Sequence, residues 1–249
     1  MPWVASSNSL HLSSDHPGVY LPMSFIKDHA STTRGAGIDR LKVLVYGPAG
    51  VGKTFLASTT PDPEHTLVVS AEAGLLTLSG FDLTAVEVTT LGELGAVLVD
   101  LQSGTYPFTW VILDSLSEIC EVCLTHELSK NRDPRKAYGE MQNRMLELVR
   151  KFRDLPLNVV MTAKMERDTN SGDAFMGPSC PGQKLSQKVG HYFDFLLPLR
   201  TFTDEEGNIR RALQTQPSEG YLSKSRVSTL DTYIEPSLAY LQSIVMENK

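Results

Sequence analysis

The sequence predicts an α/β fold: a mostly parallel twisted sheet with helices on both faces, and an antiparallel hairpin in the C-terminal part. Three observations predict it. Short, nearly all-apolar runs alternate with helix-length segments, as in a parallel sheet covered on both sides. The first of these runs leads directly into Gly47-Pro48-Ala49-Gly50-Val51-Gly52-Lys53-Thr54, a match to G-x-x-x-x-G-K-[ST]. Later, Asp204-Glu205-Glu206-Gly207-Asn208 separates two extended runs and reads as a hairpin connection.

Taken in order, residues 1–37 are rich in Ser, His, Pro and Gly and show no sustained period, which predicts a flexible arm with one short element near 20–26. The folded domain is expected over 38–249. Its first strand is predicted at 41–46, followed by the Gly-rich loop and a helix reaching about Thr59, closed by Pro61 and Pro63. A second strand is predicted at 66–71, running into Glu72-Ala73-Gly74, then a short helix at 91–103. The third strand, 108–115, ends in Asp114. A helix over 116–128 leads to a basic connection, 129–138, and a helix from Tyr138 to Arg153 with Met141, Met145, Leu148 and Val149 near one face. The fourth strand, 157–163, ends in polar Thr162 and Lys164. Residues 167–181 form a long polar, Gly-rich loop, and loops of that length in compact domains carry function or motion. A short helix begins around Lys184 and Lys188, strands are predicted at 191–199 and 209–216, and a last helix at about 236–246.

Composition narrows the class. The 249 residues are 41% hydrophobic and 21% charged, ample for a core, and the net charge of −6 argues against indiscriminate coating of nucleic acid. No apolar run reaches transmembrane length and the N-terminus lacks an apolar signal-peptide region, so no membrane partner is expected. Three cysteines fit a reducing cytoplasm. Cys120 and Cys123 form a C-x-x-C, yet the stretch has helical periodicity and no second ligand pair, so both read as small core residues rather than zinc ligands.

The chemistry centres on the Gly-rich loop. A polyphosphate needs many close donors, and glycines let successive N–H groups wrap it. The expected contacts run from Gly47 to Phe55, and a helix opening near Gly52 would add its positive end. Lys53 reaches the β- and γ-phosphates and Thr54 ligates Mg²⁺, so ATP and Mg²⁺ are the expected cofactors. Asp114 closes an apolar strand and suits a carboxylate that orients Mg²⁺ through its water shell. Hydrolysis also needs a group that orients the attacking water. Ser115 occupies the place where ATPases of the AAA+ type commonly carry that carboxylate. Glu72 instead stands where the RecA class carries one, at the end of the strand after the P-loop helix, and that resemblance makes it the leading candidate; Glu118, one helical turn beyond Asp114, is the second.

Residues 46–54, Ser70-Ala71-Glu72-Ala73-Gly74, Ile112-Leu113-Asp114-Ser115 and Gly220-Tyr221-Leu222-Ser223-Lys224-Ser225-Arg226 together resemble the RecA-like P-loop ATPases of bacteriophages, the Sak-type group linked to single-strand annealing and recombination. The resemblance spans about 40–230. It implies a RecA-like core, DNA-stimulated ATP hydrolysis, single-stranded DNA as partner, self-association into a ring or filament, a single-strand DNA-binding protein as a further partner, and the cytoplasm of a bacterial host. Lys224-x-Arg226 resembles the K-x-R element that such proteins insert into a neighbour's ATP site, which makes Lys224 and Arg226 catalytic candidates beside Glu72 and Lys53. For DNA, the candidates are Lys130, Arg132, Arg135, Lys136, Lys184 and Lys188, with Tyr138 or Phe175 able to stack on bases. The competing reading is a P-loop switch or assembly ATPase that acts on protein partners without DNA, which the negative net charge favours.

Overall fold

The computed structural model describes residues 39–168 and 175–247, with the backbone alone at 183 and 184. The arm read over 1–37, part of the polar loop, and the side chain of Lys184 therefore lie outside the described residues.

The strands form where apolar runs can be buried on both sides. They are β1 (Lys42–Gly47), β2 (Thr66–Ser70), β3 (Thr84–Glu87), β4 (Trp110–Asp114), β5 (Asn158–Asp168), β6 (Phe175–Pro178), β7 (Phe195–Thr203), β8 (Ile209–Gln214) and β9 (Tyr233–Ile234). Among the described residues the sheet order is β3-β2-β4-β5-β1-β7-β8-β9, with β6 paired to β5. From β3 through β7 all neighbours are parallel. The β7–β8, β8–β9 and β5–β6 pairs are antiparallel. The result is a mostly parallel α/β sheet, with the strand before the Gly-rich loop placed centrally between β5 and β7.

Alternation along β1 divides the core into two layers. Leu44 and Tyr46 face one side, with Val69, Leu113 and Met161 from the neighbouring strands. That side is covered by helices α1 (Leu91–Ser103), α2 (Leu116–Lys130) and α3 (Pro134–Arg153), which bury Leu94, Ile119, Cys120, Cys123, Met141, Met145 and Val149. Val43 and Val45 face the other side, where Val68, Ile112 and Val160 meet Leu56 and, from the last helix, Leu238, Leu241 and Val245. The remaining helices are α4 (Gln183–Val189) and α5 (Leu238–Glu247). Helix starts follow local chemistry: Thr90 and Glu93 form a capping box on α1, Ser115 caps α2, and Asp133 precedes Pro134 at the start of α3.

The structure corrects several expectations. The segment after the Gly-rich loop is a 3₁₀ helix, Thr54–Thr59, rather than a regular α-helix. The hydroxyls of Ser58, Thr59 and Thr60 donate to the carbonyls of Phe55, Leu56 and Ala57, competing with regular α-helical pairing, and Pro61 and Pro63 follow. A six-residue 3₁₀ helix has no extended dipole, so phosphate binding has to come from the loop's own groups. The basic connection expected at 129–138 shrinks to 131–133: Lys130 ends α2, while Arg135 and Lys136 lie in the first turn of α3. The loop expected from 167 begins instead as a hairpin, because β5 runs on to Asp168 and pairs with β6. Lys224 and Arg226 lie outside the named strands. Only Lys224 pairs, through an isolated bridge to Leu196.

Candidate functional site

The loop Gly47–Thr54 leaves the end of β1 pressed against β7. A Cβ on Gly47 would come 2.7 Å from the Leu199 carbonyl oxygen, so this position admits no side chain without backbone movement. Gly52 has φ 108°, a conformation that L side chains rarely adopt. Lys53 Nζ folds back into the loop and donates to Gly47 O and Pro48 O, both at 2.9 Å. Burial pulls its pKa below the ordinary lysine value, and the nearby Asp114 and Glu72 carboxylates oppose that shift.

Asp114 is brought here by β4 and is buried at 3% exposure. Thr54 Oγ1 donates to its Oδ2 at 2.6 Å, and the Thr162 hydroxyl on β5 donates to its other oxygen. A buried carboxylate facing the loop's threonine hydroxyl suits a small oxygen-seeking cation that shares its other ligands with phosphates and water. No cluster of three or more His, Cys, Asp or Glu side chains able to hold a metal occurs among the described residues.

Glu72 lies just past β2. Ser115, at the residue after Asp114, donates its hydroxyl to Glu72 Oε1 and also accepts from Glu118 N to cap α2. The serine therefore holds Glu72 toward the site. Lys164, the next-but-one residue after Thr162 on β5, pairs with Glu118 at 2.9 Å and lies 3.5 Å from Glu72 Oε1. The hydrogen bond to Glu118 and the charge of Glu72 raise the Lys164 pKa against a partial burial cost. The structure thus gathers Lys53, Thr54, Glu72, Asp114 and Glu118 at one end of the sheet. It adds Lys164, read from sequence only as a polar strand end.

The other predicted residues lie elsewhere. Lys224 Nζ donates to Phe193 O at 2.7 Å, and Arg226 pairs with Asp194 at 3.2 Å. Both sit near the start of β7, at the end of the sheet away from this chain's own loop, because Phe195 pairs with Val43 and Pro198 with Tyr46. Lys130, Arg132, Arg135, Lys136 and Lys188 are exposed, and none has an ion-pair partner among the described residues. The thiols of Cys120, Cys123 and Cys180 are buried; hydrogen bonding to Cys180, together with burial, pushes the Cys120 pKa up.

Two contacts tie the nucleotide end to the β5–β6 hairpin. The Tyr46 hydroxyl, one residue before the loop, bonds Met176 O on β6 at 2.9 Å and Leu222 O at 2.6 Å. Ser117 Oγ accepts from Lys164 N at 2.9 Å and donates to Ser179 O at 2.6 Å. Beyond Ser179, Gly182 approaches α3, where an added Cβ would meet Gln142 Nε2 at 2.8 Å and Tyr138 Cδ1 at 3.5 Å.

No curated protein matches the chain. Among solved structures, a KaiC-like protein of the hyperthermophilic archaeon Pyrococcus horikoshii is similar at 13% identity and a TM-score of 0.41, over 70% of this chain and 77% of that one. The family model described as "AAA domain" matches residues 39–227, from just before β1 through Val227, and the chain belongs to that family of P-loop ATPases.

Proposed function

We propose that this chain hydrolyses ATP with Mg²⁺ and couples turnover to single-stranded DNA, in recombination or strand annealing of the phage type, as a ring or filament. Lys53 leaves the loop carbonyls to meet the β- and γ-phosphates. Thr54 and Asp114 would hold Mg²⁺, which would neutralise charge on the phosphate oxygens. Glu72, fixed by Ser115, orients the attacking water. Charge on the transferred group is met in trans by a neighbour's Arg226, with Lys224 beside it.

The observation that carries the DNA reading is the continuity of β5. Thr162 and Lys164 stand in the nucleotide site, and the same strand runs on to Asp168 as one arm of the β5–β6 hairpin. Glu166 accepts from Ser179 at 2.9 Å and Ser186 at 3.0 Å, which fastens that hairpin to α4. Tyr138 borders this region at Gly182, and it follows the exposed Arg135 and Lys136 in the first turn of α3. Aromatic and cationic side chains grouped in this way suit a backbone-tracking, base-stacking contact. The test is ATP turnover with and without an unstructured single strand such as oligo(dT). A several-fold rise is expected; turnover unmoved by saturating DNA favours the reading of an ATPase that acts on protein partners.

A further inference from the structure

Arg211 stands beside the phosphate loop on a strand that sequence reading left without a role. A Cβ placed on Gly52 would lie 3.9 Å from both Cδ and Nε of Arg211, so the arginine stem stands over the bare glycine with only a side-chain atom's width between them. Arg211 pairs with Thr201 across the β7–β8 ladder, two residues beyond Leu199, whose carbonyl abuts Gly47. The ladder thus flanks the loop, and the arginine reaches it from a paired strand.

Its neighbours show what an idle arginine does in this region. Arg210 is taken by Asp204 at 2.8 Å. Arg200 is taken by Glu219 at 2.6 Å and lies over the Tyr221 ring at 4.1 Å. Lys164 is taken by Glu118. The Arg211 side chain is exposed and makes no hydrogen bond or ion pair within the described residues. A solvated arginine on a strand needs no explanation by itself. An unpaired guanidinium whose stem stands over the glycine of an anion-binding loop has a reason to be there, because its planar fork can grip two phosphate oxygens.

We propose that Arg211 is a phosphate-binding residue acting in cis, its guanidinium gripping the polyphosphate chain of a nucleotide held in the loop Gly47–Thr54. The proposal rests on the reading of that loop as a nucleotide site. It also gives each protomer a cation of its own, distinct from any supplied by a neighbour.

The experiment is equilibrium binding of a fluorescent ATP analogue, with unlabelled ATP and inorganic tripolyphosphate as competitors. The proteins are the wild type, Arg211→Ala, Arg211→Gln, Arg210→Ala and Lys53→Ala. Loss of a charge-assisted contact should weaken ATP about 10- to 100-fold in both Arg211 variants. Tripolyphosphate should lose potency by a similar factor, Arg210→Ala should stay within about twofold of wild type, and thermal midpoints should not move. ATP and tripolyphosphate affinities unchanged in the Arg211 variants, alongside a weakened Lys53→Ala, overturn the proposal and leave the loop reading standing. A loss seen with ATP but not with tripolyphosphate also overturns it, since the contact would then be to sugar or base. A wild type that binds no ATP overturns both readings together.

Discussion

Lys164 and Glu118 form an ion pair at 2.9 Å, and the same ammonium lies 3.5 Å from Glu72. One cation therefore neutralises both carboxylates that could orient the attacking water. They differ in their second partner: the Ser115 hydroxyl donates to Glu72, while Glu118 sits one turn into α2. A carboxylate held from two sides is the better-positioned group. Glu72→Gln should bind ATP normally and hydrolyse it about 10²–10⁴ times more slowly, whereas Glu118→Gln should retain most of the turnover. Measured kcat and nucleotide affinity for the two variants decide the matter. The reverse pattern would assign the role to Glu118.

Lys53 supplies a prediction that combines chemistry and pH. Its half-buried amine has a pKa below the usual lysine value, so a larger share is unprotonated at neutral pH than for a surface lysine. Only the free amine acylates. Acetic anhydride should therefore modify Lys53 at neutral pH, and saturating Mg²⁺-ATP should protect it; peptide mass mapping reads both. Lys53→Ala should abolish hydrolysis while the circular-dichroism spectrum stays unchanged.

The parts of the fold legible in sequence were those set by local pattern. β1, β2 and β4 are buried from end to end apart from Lys42, and their apolar runs stand out. The loop motif and the strand-ending Asp114 could be found for the same reason. β3 was not, because its four residues sit mostly exposed at a sheet edge with no apolar run. The 3₁₀ geometry after the loop depends on hydroxyl-to-carbonyl bonds that compete with helix propensity. Lys164 and Arg211 were missed for a different reason. Lys164 is 46 residues from Glu118, and Arg211 meets Gly52 only once β8 folds back along β7. No local spacing announces such contacts.

Tyr46 is a test of the link between the nucleotide loop and the hairpin. Its ring is fully buried, its hydroxyl serves two carbonyls, and burial pushes the phenol pKa well up, so it stays neutral at any working pH. Tyr46→Phe removes both bonds and leaves packing intact. The expected cost is roughly 1–2 kcal/mol, part of it offset because Met176 O also accepts from Leu222 N. In a chain of this size that corresponds to a fall of about 2–8 °C in Tm. An unchanged Tm would mean that water replaces the phenol without loss.

The cations at the α2–α3 turn should govern DNA affinity without touching catalysis. Lys130, Arg132, Arg135 and Lys136 are exposed and unbridged to acids among the described residues. Converting all four to Ala should weaken single-strand binding and flatten its dependence on salt, because fewer counterions are released. Basal ATP turnover without DNA should be unchanged. A salt slope identical to wild type would place the DNA contacts on another surface.

Arg226 yields the sharpest prediction about assembly. It lies beside Asp194, and Lys224 bonds the adjacent Phe193 carbonyl, so the pair is anchored near the start of β7. The phosphate loop leaves the other end of β1, past the pairing of Tyr46 with Pro198. A protomer therefore cannot bring its own Arg226 to its own phosphates without refolding the segment. Its side chain is 60% exposed while Asp194 is 15% exposed, so the guanidinium is tethered yet open to a neighbour. An exposed pair of this kind adds little stability, and Arg226→Ala should fold as well as wild type. In trans, a cation that meets charge on the transferred phosphate is worth about 10³–10⁵ in rate. Arg226→Ala has an intact loop, and Lys53→Ala has an intact Arg226. Each alone should be nearly inactive, and a mixture should regain part of the activity wherever an intact loop faces an intact arginine. Activity per protomer should also rise with protein concentration. If mixed assemblies form, as judged by tagged co-purification, and stay as inactive as their components, Arg226 does not act across the interface.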